Sequence, residues 1–233
     1  MQHISKKLLP LLAVMVSLCA CAELPGTGYT MRWKEEVKLN SGQVIVVERF
    51  YNLAGYPAID SHNRSPLDET LTFTLPGSGK AITWKTEFND SPELNSLGPL
   101  LLDVVDGTPY LAASPAGCIA YNKWGRPNPP YILFKYANEA WQRIPLEEFP
   151  PMLVHSNLMS RPDSQVLKPY YTLEQVKGQM QGRNIAPEAR SILRQALSKE
   201  RLEQICEERV LYKGYWILPN DPVAKTIIDQ RMK

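Results

Sequence analysis

The chain has 233 residues, with 26 Lys and Arg against 24 Asp and Glu and a formal net charge of +2. That length allows one substantial core or two small ones, and so even a charge lacks the basic footprint of nucleic-acid binding and a strong electrostatic hold on anionic lipid. Twenty prolines and eleven tyrosines point to a loop-rich, extended architecture rather than a helical bundle.

Lys6 and Lys7 precede an apolar run from Leu8 to Ala20, broken only by Pro10 and Ser17. At about a dozen residues the run has the length of the apolar part of a secretory signal, and it is too short to span a bilayer as a helix. It ends in Leu18, Cys19, Ala20 and Cys21. This tetrad resembles the lipobox of bacterial lipoproteins: an aliphatic residue, a permissive position, a small residue, then the cysteine. The resemblance covers residues 1–21. It implies a signal peptide over 1–20, removed before Cys21, and acyl groups such as palmitate on that cysteine. Cys21 fits the role because Ala20 is small, and Cys19 does not because Leu18 is bulky. Each buried methylene contributes about 0.8 kcal/mol, so the several chains carried by one such cysteine, on its thiol and its amino group, hold where one alone is reversible. The implied partner is the lipid bilayer, reached through acylated Cys21. Ala22 in place of an aspartate points to the outer membrane. The alternative is ordinary cleavage after Ala20 or Ala22, which gives a soluble exported protein.

Removing residues 1–21 leaves 212 residues, and taking away Lys6 and Lys7 leaves 24 basic side chains against 24 acidic. Cys118 and Cys206 are then the even pair that remains in an oxidising compartment, and a disulfide between them is expected. The alternative is two buried free thiols. Residues 21–30 carry the lipidated cysteine and a short tether.

From residue 31 the pattern has period two. Met31, Trp33, Glu35, Val37 and Leu39 share one strand face, and Arg32, Lys34, Glu36 and Lys38 the other. "NSGQ" then turns the chain into "VIVVERFYNL". Leu71, Phe73 and Leu75 alternate with threonines, and after "PGSGK" Ile82, Trp84 and Phe88 alternate with polar residues. "LLLDVV" meets "PYLAAS" across Asp106-Gly107, and "YILFKY" meets "AWQRI" across "NE". Eight strands in four hairpins predict an antiparallel β meander over 31–150, sandwich or barrel-like. "WKEEV" and "WKTEF" are similar, but too little chain is present for a ring of propeller blades.

The pattern changes after Pro150-Pro151. Residues 152–169 read as irregular. Thr172 and Gln175 form a capping box for a short helix, "LEQVKGQMQ". A longer helix is expected from Pro187 to Arg209, then a last strand over 210–218 and a terminal helical turn at "PVAKTIIDQ". The fold class expected is α+β, with residues 151–233 docked on the β domain.

Signs of catalysis are weak. "LPGSGKAIT" fails as a phosphate loop because Thr74 stands at the first glycine position and Ala81 follows Lys80; it reads as a hairpin turn. Gly77-Ser78-Gly79 lacks the spacing of a nucleophile elbow. His62 and His155 have no neighbouring ligands at zinc spacing, so no metal and no cofactor are expected. Asp60, Ser61 and His62 are adjacent only in sequence, and Cys118 with His155 as a thiol pair competes with the disulfide. Glu147 and Glu148, being adjacent, point apart and make a poor glycosidase pair. The most distinctive stretch is "YNKWGRPNPPYILFKY". Its prolines favour extended geometry, and Tyr121, Trp124 and Tyr131 around them make a candidate binding surface for a sugar or a peptide. The alternative is a rigid loop whose rings pack over one end of the sheet. The expected function is a non-enzymatic binding or assembly module of the bacterial envelope, with an envelope protein or a glycan as partner. The rival is a periplasmic hydrolase acting on glycan or peptide.

Overall fold

The computed structural model describes residues 29–57, 64–88, 96–182 and 185–232. Cys21 and the signal-like segment lie outside the described residues, as do Asp60, Ser61 and His62. All eight expected strands form: β1 (Tyr29–Lys38), β2 (Val44–Pro57), β3 (Arg64–Thr74), β4 (Ala81–Glu87), β5 (Leu97–Val105), β6 (Thr108–Pro115), β7 (Ile132–Ala137) and β8 (Ala140–Ile144). They make two antiparallel sheets, β4-β3-β2-β1 and β5-β6-β7-β8, and the α+β class holds. A two-residue strand, β9 (Tyr170–Tyr171), extends the first sheet by pairing parallel to β1.

Local chemistry explains the hairpins. Asp106 and Gly107 both take positive φ, 49° and 74°, in the two-residue turn between β5 and β6, which suits strand twist. Asn138 and Glu139 repeat the device between β7 and β8, at 53° and 65°. The "PGSGK" segment closes β3 onto β4 through Leu75 N–H donating to Lys80 O at 2.8 Å.

The two sheets pack face to face. Val37, Leu39, Ile45, Val47, Leu71, Phe73, Ile82 and Trp84 of the first meet Leu97, Leu102, Leu111, Ala113 and Ile132 of the second. Alternation supplies both layers, since β1 and β4 bury every second residue. One margin is stitched by the Trp141 indole N–H, which donates to Thr83 O at 2.9 Å. At the other, Asn157 bonds Lys38 O, Leu102 O and the Leu102 N–H. The first sheet overhangs the second. Its free half buries Met31, Trp33, Tyr51 and Leu53 under Met159, Tyr171 and Val176. Residues 151–169 therefore act as a strap across the sandwich.

The C-terminal part departs from expectation in two places. Helix α2 (Leu173–Met180) forms with its capping box intact. The single helix expected over 187–209 is instead two short ones, α3 (Pro187–Arg190) and α4 (Lys199–Ile205). Tertiary hydrogen bonds replace helical ones in between. Ser191 is extended and bridges His155, Ile192 N–H donates to Val154 O at 2.7 Å, Leu193 N–H to the Tyr131 hydroxyl, and Leu197 N–H to Asn128 Oδ1. Ile192 is thereby buried in a second apolar cluster with Leu101, Leu133, Phe149 and Leu153. Ser198 restarts the helix as its N-cap, accepting from Arg201 N–H. The single last strand expected over 210–218 is a hairpin, β10 (Val210–Tyr212) and β11 (Tyr215–Ile217), turned by Lys213 and Gly214 at positive φ. Among the described residues it pairs only with itself, and the chain then runs into helix α5 (Pro222–Arg231). Helix α1 (Cys118–Lys123) was not foreseen.

Candidate functional site

Three features could carry chemistry: the aromatic loop, a buried ionic cluster, and a cleft beside the strap. The loop does not present its rings. Tyr121 and Tyr131 are only 2% and 6% exposed. The Tyr121 hydroxyl donates to Pro127 O at 3.1 Å. The Tyr131 hydroxyl lies 2.8 and 2.9 Å from the carbonyls of Glu188 and Ser191, and its burial pushes its pKa up to about 12. Trp124 is half-buried against the main core, with the Arg143 guanidinium 5.3 Å over its ring. These aromatics hold the loop to the body, as the rigid-loop alternative has it, and Tyr121 and Tyr131 offer no free stacking face.

Cys118 and Cys206 form a disulfide, their Cα atoms 5.1 Å apart across 88 residues. It ties α1 to the end of α4. Asn122 reinforces the joint, donating to Cys118 O and accepting from Arg209 N–H. The Cys118 sulfur is thus committed to Cys206. His155 sits on the strap, its backbone paired with Ser191. Glu147 and Glu148 lie in a short 3-10 turn, where Glu148 pairs with Lys135 at 2.8 Å.

Three adjacent strands of the first sheet place Glu35, Arg49 and Glu69 side by side on its inner face, each at most 1% exposed. Arg49 donates to Glu35 Oε1 at 2.9 Å and to Glu69 Oε1 at 2.6 Å, and reaches the strap at Met159 O, 3.2 Å away. Tyr51 donates to the other Glu69 oxygen. Trp33 stacks on Tyr51, and Arg49 lies 5.2 Å over Trp33. Burial pushes both carboxyls above their usual range, against the pull of Arg49. Burial opposes the charge on Arg49 too, but Glu69, Tyr51 and Glu35 outweigh it and hold the guanidinium charged. A second guanidinium, that of Arg161, lies 5.7 Å over the Tyr51 ring and also pulls Glu69 down, but burial outweighs both cations. The signal in the sequence was phase: Glu35 falls among Trp33 and Val37, Arg49 in step with Val47 and Tyr51, and Glu69 in step with Leu71.

The cleft has a volume of about 810 Å³. The end of β1 contributes Lys38, Leu39 and Asn40, β5 contributes Leu101 and Asp103, and the strap contributes residues 152–157. Helix α2 turns Leu173, Val176, Lys177 and Met180 toward it, a spacing that selects one helical face. Glu36 fixes that helix, one oxygen accepting from Leu173 N–H and the other from the Tyr170 hydroxyl, both at 2.8 Å. Arg190 closes the far side, donating to Gly182 O. Burial pushes the Asp103 carboxyl up, while the N–H groups of Asn40 and Val104, each at 2.8 Å, pull it down. The lining combines an apolar floor with a rim of cations and hydrogen-bonding groups, an arrangement suited to holding a ligand. Among the described residues, no group of three or more His, Cys, Asp or Glu is arranged to hold a metal ion. Compared with family models, with curated proteins and with solved structures, the chain has no match.

Proposed function

We propose that the chain is a bacterial envelope lipoprotein, anchored in the outer membrane by acyl chains on Cys21, whose folded body is a binding or assembly module. The observation that carries this reading is the Cys118–Cys206 disulfide, a type of bond that forms and persists mainly in oxidising compartments and so favours export. It is joined by the lipobox-like tetrad Leu18–Cys21. The preformed cleft supports binding as the role of the body. Strand β1 starts eight residues after Cys21, so the anchor lies at most about 29 Å from Tyr29. Its ten residues then extend roughly 30 Å to Lys38 on the cleft. The cleft thus lies at the opposite end of β1 from the tether, which favours a partner that approaches from the side away from the anchor.

Fractionation tests the anchor. Wild-type chain is expected in the membrane fraction, with the mass of an acylated N-terminal cysteine. Cys21→Ser is expected to lose both the acyl mass and the cut before residue 21. A bare Cys21 thiol in the mature wild-type protein would refute the assignment. Co-purification of the natively processed protein then identifies its envelope partner.

A further inference from the structure

We propose that the cleft between the strap, helix α2 and the end of β1 binds a small amphipathic anion: one carboxylate or phosphate head on a single aliphatic chain. The rim supplies the head site. Lys38 and Lys177 line it with one carboxylate, that of Asp103, and with His155 and Arg190, whose guanidinium donates to Gly182 O. Both Asp103 oxygens already accept backbone N–H bonds, from Asn40 and Val104. Among the described residues Lys38 and Lys177 form no ion pair. Such a rim is electropositive, and its two lysines are free to turn toward an anion at little cost.

The floor supplies the tail site. Leu101 and Leu153, at 1% and 2% exposure, form a packed base. Leu173, Val176 and Met180 of α2 form one wall, and Met152, half exposed on the strap, faces the opening. Methionines at both sides suit a flexible chain, since their unbranched side chains repack around it. A volume of about 810 Å³ lies within the range of pockets that enclose one small molecule. An apolar floor under a cationic rim matches an amphiphile at both ends: a purely polar anion leaves the floor wet, and a neutral hydrocarbon leaves the lysines without a partner.

This inference rests on the proposed role as a binding module, but its test is separate from that of the anchor. The natively processed full chain, labelled with 13C-methyl methionine, is studied in buffer, or in phosphatidylcholine nanodiscs where it carries an acylated Cys21. Octanoate, octyl phosphate and, as neutral control, octanol are titrated while the Met152 and Met180 methyl signals are followed. Saturable shifts of both signals are expected for an anion, at least tenfold tighter than for octanol. Tighter octanoate assigns the head as carboxylate and tighter octyl phosphate as phosphate, and either supports the proposal. Lys38→Glu with Lys177→Glu should weaken the anion at least tenfold and leave octanol unchanged, and Lys38→Gln with Lys177→Gln should weaken it less. Both lysines are exposed, and an unchanged melting temperature verifies folding. Octanol binding as tightly as either anion, no saturable shift with either anion, or indifference to the charge changes overturns the proposal.

Discussion

Arg49→Met tests the physics of the buried cluster. Methionine keeps much of the aliphatic stem but none of the donors, so Glu35 and Glu69 lose their shared guanidinium and Met159 O loses its partner. Removing one member of a buried ion pair costs about 3–5 kcal/mol, because the remaining charge is uncompensated. Protonation offers an escape. Holding a carboxyl of ordinary value 4.5 neutral at pH 7 costs about 3.4 kcal/mol. At pH 5 the same escape costs about 0.7 kcal/mol. The two routes converge near pH 7, so the variant is expected to lose about 3–5 kcal/mol there and markedly less at pH 5. The sign is that of a carboxyl raised in the folded state: native protein binds more protons than unfolded chain above 4.5, and stability falls as pH rises. Urea unfolding of parent and variant at pH 5 and 7, with the disulfide intact, reads both numbers. A loss below 1 kcal/mol at pH 7, or an equal loss at both pH values, would show that the carboxylates do not depend on Arg49. Replacing all three together, Glu35→Leu, Arg49→Met and Glu69→Leu, should recover most of the loss.

Other perturbations follow from the same contacts. Glu69→Gln removes a carboxyl that burial raises; its contribution is complete below pH 4.5 and fades as pH rises through the folded value, so the variant should lose less stability than the parent between pH 5 and 8. Parallel slopes in the two urea series would count against it. Cys118→Ser opens an 88-residue loop and should cost up to about 4.5 kcal/mol, read as a lower melting temperature that reductant no longer changes. A parent indifferent to reductant rules out a stabilising bridge. Arg194 donates to the carbonyls of Leu146, Phe149, Pro150 and Leu153, with its guanidinium 5.5 Å over Phe149. Arg194→Lys keeps the charge but loses the planar fork, so about 2 kcal/mol should be lost. An unchanged urea midpoint would show that the fork is dispensable.

The strands were legible because their signals are local. Alternation over Met31–Leu39 and the Asp106-Gly107 turn need no knowledge of distant chain. The capping box of α2 is likewise written in four residues. The helix expected over 187–209 failed for the opposite reason. Ile192 and Leu193 have helical spacing with Ala196 and Leu197, but the carbonyl of Val154 and the hydroxyl of Tyr131, about 40 and 60 residues away, capture their N–H groups. The hairpin at 210–217 was hidden because Lys213-Gly214 was read as strand interior, although a glycine there signals a turn. The aromatic loop misled for a different reason: composition cannot say whether a tyrosine points outward, and Tyr131 turns inward to hold α3. The cleft left almost no trace, since its walls come from β1, β5, the strap and α2.

Interior and cleft are nevertheless one mechanical unit. Arg49 grips Met159 O, and two residues earlier Asn157 pins the strap to β1 and β5 through Lys38 O and Leu102. Residues 153–157, which line the cleft, are the stretch leading to those two attachments. The Asn157 side chain joins the strap to both sheets, and Arg49 holds the strap at its far end. Asn157→Ala should therefore weaken ligand retention more than global stability: it loosens the cleft wall, which backbone bonds to Leu100, Arg190 and Ile192 still hold in place, while the buried cluster stays intact. Hydrogen exchange of the Leu158 N–H, which donates to Leu100 O at 3.1 Å, should quicken in that variant while the Val47 amide at the core stays protected. Equal quickening at both sites would mean that strap and sheet open together, and that the cleft wall has no independent motion to lose.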